Sequence, residues 1–98
     1  MPPDIAQLTA ADFTPHVKGS FHIARAAGDV TLRLVEVQRL GEALRPGGAF
    51  SLQFISPPGP FLPQAIYPVA HADLGTLELF LVPLGPRGGG NSYEAVFT

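Results

Sequence analysis

From Val30 to Leu34 apolar and polar residues alternate strictly, and then the alternation slips by one position. Val30, Leu32 and Leu34 set one phase; Val35 and Val37, separated by Glu36, set the other. A period of two marks a β-strand with one buried face. A slip of one residue would turn that face outward, so a strand that keeps both halves on one core needs a β-bulge between Leu34 and Val35. Bulges bend strands, and bent strands let a small sheet curl toward a barrel.

The same alternation recurs along the chain. Phe21 and Ile23 oppose His22 and Ala24 in "SFHIARA". Phe50, Leu52 and Phe54 oppose Ser51 and Gln53 in "AFSLQFIS". Tyr67, Val69 and His71 share one face of "AIYPVAH", and Tyr93, Ala95 and Phe97 share one face of "SYEAVFT". Gly28-Asp29 is a hairpin signal, and Pro46-Gly47-Gly48 breaks the chain. Pro57, Pro58, Pro60 and Pro63 keep their segment out of any sheet interior. Pro68 predicts an edge position for its strand. "HADLG" reads as a turn in which Asp73 bonds its own backbone, and "GPRGGGN" as a flexible loop. The expectation is a single mainly β domain over residues 1–98. About six mostly antiparallel strands form a small barrel or curled sheet.

One helical signal stands before the strands, in "LTAADFTPHVKG". Thr9 is placed to cap, with Asp12 in the first turn against the positive helix end. Leu8 and Phe13 flank the cap as a hydrophobic staple. Thr14 reads as a second cap, Pro15 as its first helical residue and Gly19 as the stop. Helical turns this short need tertiary support, so Phe13 and Val17 are expected to dock.

"TLELFLVPLGP" (Thr76–Pro86) is apolar on both faces. Leu77, Leu79 and Leu81 point one way, Phe80 and Val82 the other. The first face belongs to the core. The second needs a cover, either the N-terminal helix and the proline-rich segment or another protein chain.

Composition narrows the function classes. Hydrophobic residues make up 46% of the 98, which excludes a disordered chain, and charged residues only 14%, against a usual share of about 25%. The net charge is −2 and the six Lys and Arg are scattered, so the basic stripe that nucleic acid requires is missing. The chain has no cysteine, hence no disulfide framework or thiolate metal site. No run approaches a membrane span, and "MPPDIAQLTA" lacks the layout of a signal peptide. A cytoplasmic location is the expectation.

Catalytic apparatus is not visible. His16, His22 and His71 do not stand at metal-ligand spacing. His71 and Asp73 form a conceivable orienting pair, but no nucleophile stands beside them. "GPRGGGN" and "RPGGAF" lack both the Lys-Ser/Thr and the following helix of a phosphate loop. No catalytic, cofactor-binding or metal-binding residue is assigned.

The chain resembles a small bacterial family of about a hundred residues, known as a domain of unknown function. The likeness is carried by "LTAADFTPHVKGSF", "FSLQF", the "LPQ…Y…H…LG…LELFLVPLGP" run and the closing "YEAVF". Two departures are Ala65-Ile66, where a small residue or Gly is expected before Tyr67, and Pro68 within that strand. The resemblance implies no catalytic residues. It implies a structural or binding role in the company of tail-like or phage-like particle proteins.

Two functional expectations follow. The first is a non-enzymatic structural or protein-interaction domain, accessory to a bacterial or phage-derived tail-like assembly. Phe80, Val82, Ile55 and Ile66 would be its interface, and a protein partner or self-association, a dimer for instance, would cover them. The second is a small-ligand-binding β-barrel with Phe50, Phe54, Tyr67, His71 and Tyr93 lining one end.

Overall fold

The computed structural model of the protein describes residues 8–25, 28–41, 48–58 and 61–97. A short helix, α1 (Ala10–Phe13), and a 3-10 turn over Thr14–His16 precede six strands. These are β1 (Ser20–Ile23), β2 (Val30–Gly41), β3 (Ala49–Ser56), β4 (Ala65–His71), β5 (Gly75–Arg87) and β6 (Gly90–Phe97). Neighbours run β1-β2-β3-β6-β5-β4 and back to β1, so the sheet closes into a barrel-like ring. All the pairings are antiparallel. The mainly β, antiparallel architecture with one short N-terminal helix is the one the alternation predicts.

The bulge falls where the phase slips. Leu34 pairs with Phe54 and Glu36 with Gln53, leaving Val35 as the extra residue. A second irregularity follows at Arg39–Gly41, and a third, at Pro83–Gly85 in β5, leaves Leu84 unmatched. The alternating residues then converge inside the ring. Phe21, Ile23, Leu32, Leu34, Phe50, Leu52, Phe54, Val69, Leu77, Leu79, Leu81 and Tyr93 are all buried.

Two segments close the ends of the ring. At one end α1 lays Phe13 against Phe50 and Phe97, with ring centroids 5.8 and 5.7 Å apart. Asp12 holds this turn by accepting the Thr9 backbone N–H at 2.7 Å and the Thr9 hydroxyl at 3.2 Å. At the other end the proline-rich segment inserts Leu62, whose backbone N–H donates to the Tyr93 hydroxyl at 3.0 Å.

Closure of the ring is uneven. β1 meets β4 at a single matched pair, His22 with Ala70, whereas β4 pairs with β5 along its whole length. Pro68 therefore sits where β4 has no partner on its β1 side among the described residues, which suits a residue without an N–H.

Three expectations are corrected. "GPRGGGN" is not a loop: β5 continues to Arg87 and β6 begins at Gly90, leaving a two-residue hairpin turn. Gly88 and Gly89 have φ of 59° and 83°, the positive values that tight hairpin turns demand. Thr14 does not cap a second helix; its hydroxyl donates back to the Ala10 carbonyl at 2.9 Å. The helical segment is stopped by Lys18, at φ 74°, one residue before Gly19. Lys18 then donates to the Leu34 carbonyl while Leu34 donates to Gly19, and these bonds extend the β1–β2 ladder to the bulge. Of the two covers left open for the second face of β5, α1 and the proline-rich segment close the ring ends instead, so their described residues leave that face uncovered. Ala26, Ala27, Arg45, Pro46, Gly47 and Pro60 lie outside the described residues, as do residues 1–7.

Candidate functional site

The outer face of β4 and β5 carries the most exposed apolar pair in the ring. Ile66 and Phe80 are direct cross-strand partners, 63% and 48% exposed. They arrive there by parity: each stands between inward neighbours, Ala65 and Tyr67 on β4, Leu79 and Leu81 on β5. Val82, two residues along β5, is half-buried on the same face and pairs with Glu94 of β6. Val96, also outward on β6, is exposed as well. Ile55 is separate. It lies on β3 beside Arg33 of β2 and Ser92 of β6, so three of the four predicted interface residues share a patch and the fourth does not.

Ile55 instead lines an outer groove of about 350 Å³ with Ser20, Thr31, Arg33, Ser56, Pro57, Pro58 and the tip Gly88–Gly90. Among the described residues, Arg33 is the sole charged group of its lining.

The five residues expected to line one end of a ligand barrel are spread between both ends. Phe50 stacks on Phe97 at 4.4 Å beneath α1, while Tyr93 is hydrogen-bonded to Leu62 at the opposite end. Tyr67 points to that same end, donating its hydroxyl proton to the Pro63 carbonyl. Phe54 pairs with Tyr93 in the ladder and packs edge-on against Phe21 at 5.3 Å. Phe50, Phe54 and Tyr93 are fully buried against other side chains.

His71 has a setting that spacing along the chain does not reveal. Its ring lies 4.5 Å from Phe21 and 4.3 Å from His16, which the 3-10 turn brings over the rim. Asp73 completes a cluster in which the three residues each bring a donor atom to within 4.8 Å of the others. His16 and His71 stand 55 positions apart in the sequence, which hides this approach. His71 is already engaged, however. Its Nδ1 accepts the backbone N–H groups of Asp73 at 3.0 Å and Leu74 at 3.2 Å. The sequence leads one to expect Asp73 to bond its own backbone in the turn; among the described residues the His71 imidazole instead accepts the turn's N–H groups. This network assigns the proton of the neutral ring to Nε2, so an incoming cation would have to displace either that proton or the turn's hydrogen bonds. The cluster is better built to hold a neutral imidazole than a metal ion. Burial first, and His16 second, push the His71 pKa below its ordinary value, His22 adds to the lowering, and Asp73 opposes it.

No helix among the described residues is long and apolar enough to cross a membrane. Comparison with known proteins places the chain by sequence: the family model "Domain of unknown function (DUF6916)" matches residues 8–97. The chain belongs to that family. No curated protein and no solved structure matches it.

Proposed function

We propose that this domain is a non-enzymatic protein-interaction module, cytoplasmic and structural in role. It docks another protein chain on the outer face of β4 and β5, within an assembly of the bacterial or phage-derived tail-like kind that the sequence resemblance implies. The observation that carries the reading is the Ile66–Phe80 pair, two large apolar side chains in register on a strand pair whose inner faces are already satisfied. Val82 and Val96 extend the surface. An aromatic–aliphatic pair flanked by further apolar residues is the kind of center around which protein interfaces are built. The ligand-barrel alternative has less to draw on, since Phe50, Phe54 and Tyr93 already fill their space with one another and with neighboring core residues.

The test is site-specific cross-linking from position 80 in expressing cells, with position 76 on the same face and strand as the control. The reading expects a discrete adduct from position 80, with a second copy of the chain or with one other protein, and its loss on Ile66→Glu. Equal, diffuse labelling from both positions would overturn it.

A further inference from the structure

We propose that His71 and His16 form an acid-sensitive latch that holds the N-terminal helical segment over one end of the ring and releases it on protonation. The geometry carries this independently of the docking surface. His71 Nδ1 is the shared acceptor for two backbone N–H groups, those of Asp73 and Leu74. A proton on Nδ1 would turn that acceptor into a donor facing two donors, so the imidazolium cannot form without opening the turn over residues 72–74. The same ring is packed edge-on beneath His16, 4.3 Å away, and two imidazolium rings at that distance repel. His16 ends the segment that carries Phe13 over Phe50 and Phe97.

The charged and titratable groups facing His71 are His16 from the 3-10 turn, His22 from β1 and Asp73 from its own turn. Asp73 favors protonation; the two histidines and burial oppose it, and the opposing influences prevail. The sign follows. The His71 pKa is depressed in the folded chain, so the unfolded or unlatched chain binds more protons. The latched state is fully favored above the ordinary histidine pKa of about 6.5 and loses ground as pH falls from there through the folded value. One proton taken up on opening gives at most about a tenfold rise in the opening equilibrium per pH unit. A partly buried histidine at a contact between two elements is one way proteins read pH in this range.

The experiment is amide hydrogen exchange between about pH 7.5 and about pH 5, expressed as protection factors. It follows the Asp73 and Leu74 amides at the turn and the Val17 and Gly19 amides, which bond to Thr14 and His16. All four should lose protection together as pH falls, by up to about tenfold per unit, while the β3 and β6 amides hold theirs. His71→Asn keeps an acceptor for the turn and cannot titrate, so it should abolish the pH dependence. A flat wild-type profile, or the same slope in His71→Asn, overturns the latch. Should that variant fail to fold, the ring nitrogens of the wild type decide by NMR. An unprotonated Nδ1 at neutral pH and a His71 midpoint below the ordinary histidine value of about 6.5 support the latch; a protonated Nδ1 or a midpoint at or above that value overturns it.

Discussion

The backbone N–H of Leu62 donates to the hydroxyl of Tyr93 at 3.0 Å, a bond between the loop that closes one end of the ring and the core of β6. Both residues are buried, so water does not compete for either partner. Tyr93→Phe keeps the ring and removes the acceptor, leaving a buried N–H without a partner. The expected cost is about 1–3 kcal/mol in urea unfolding, with faster exchange at the Leu62 amide before the strands are affected. An unchanged midpoint would mean that the loop finds another acceptor.

Gly90 opens β6 directly against β3. A Cβ at this position would lie 2.0 Å from the Ser56 carbonyl oxygen, a backbone atom in the ladder with little room to yield. Gly90→Ala should therefore destabilize the fold by at least about 1–3 kcal/mol, read as a lower denaturation midpoint. Gly88, at φ 59° with open space around it, should accept Asn within about half a kcal/mol, because Asn tolerates left-handed backbone. Equal costs at the two positions would contradict this assignment of the turn.

Ser51 is outward by parity on β3, yet only 2% exposed, and its hydroxyl has no hydrogen-bond partner among the described residues. An unpaired buried hydroxyl is a liability that alanine removes with little loss of packing. Ser51→Ala is expected to raise stability by about 0.5–1 kcal/mol. A loss of stability on thermal or urea unfolding would show that the hydroxyl is satisfied.

These features divide by how local their causes are. Strand faces depend on alternation alone, so the inward sets Phe50-Leu52-Phe54 and Tyr93-Ala95-Phe97 and the bulge at Val35 could be read from the chain. The hairpin at Gly88-Gly89 was obscured because Pro86 and three glycines resemble a loop. What extends β5 is its pairing with β6, and the irregularity at Leu84 lets the ladder pass two prolines. Long-range approaches were not legible. His16 reaches His71 because the 3-10 turn crosses the ring's end, and that depends on where Phe13 docks. For the same reason the sequence leaves the cover of the second face of β5 open between α1 with the proline-rich segment and another chain. Both segments are apolar and short, and only the direction of the ring axis shows that they close its ends.

Phe80 and Ile66 offer the sharpest separation between folding and function. A core residue and an interface residue both cost something when changed, but in different measurements. Each side chain stands about half or more in solvent, so Phe80→Glu and Ile66→Glu should change the unfolding free energy of the isolated chain by no more than about 0.5 kcal/mol. At an interface the same changes bury a carboxylate against apolar surface, and truncating a central residue there typically costs 2 kcal/mol or more, roughly 30-fold in affinity. Light scattering over a wide concentration range, paired with urea unfolding of each variant, distinguishes the two cases. If a second copy covers the patch, the wild type gains mass with concentration while Phe80→Glu remains monomeric and equally stable. If Phe80→Glu is strongly destabilized as a monomer, the side chain belongs to the fold and the proposed docking face loses its central residue.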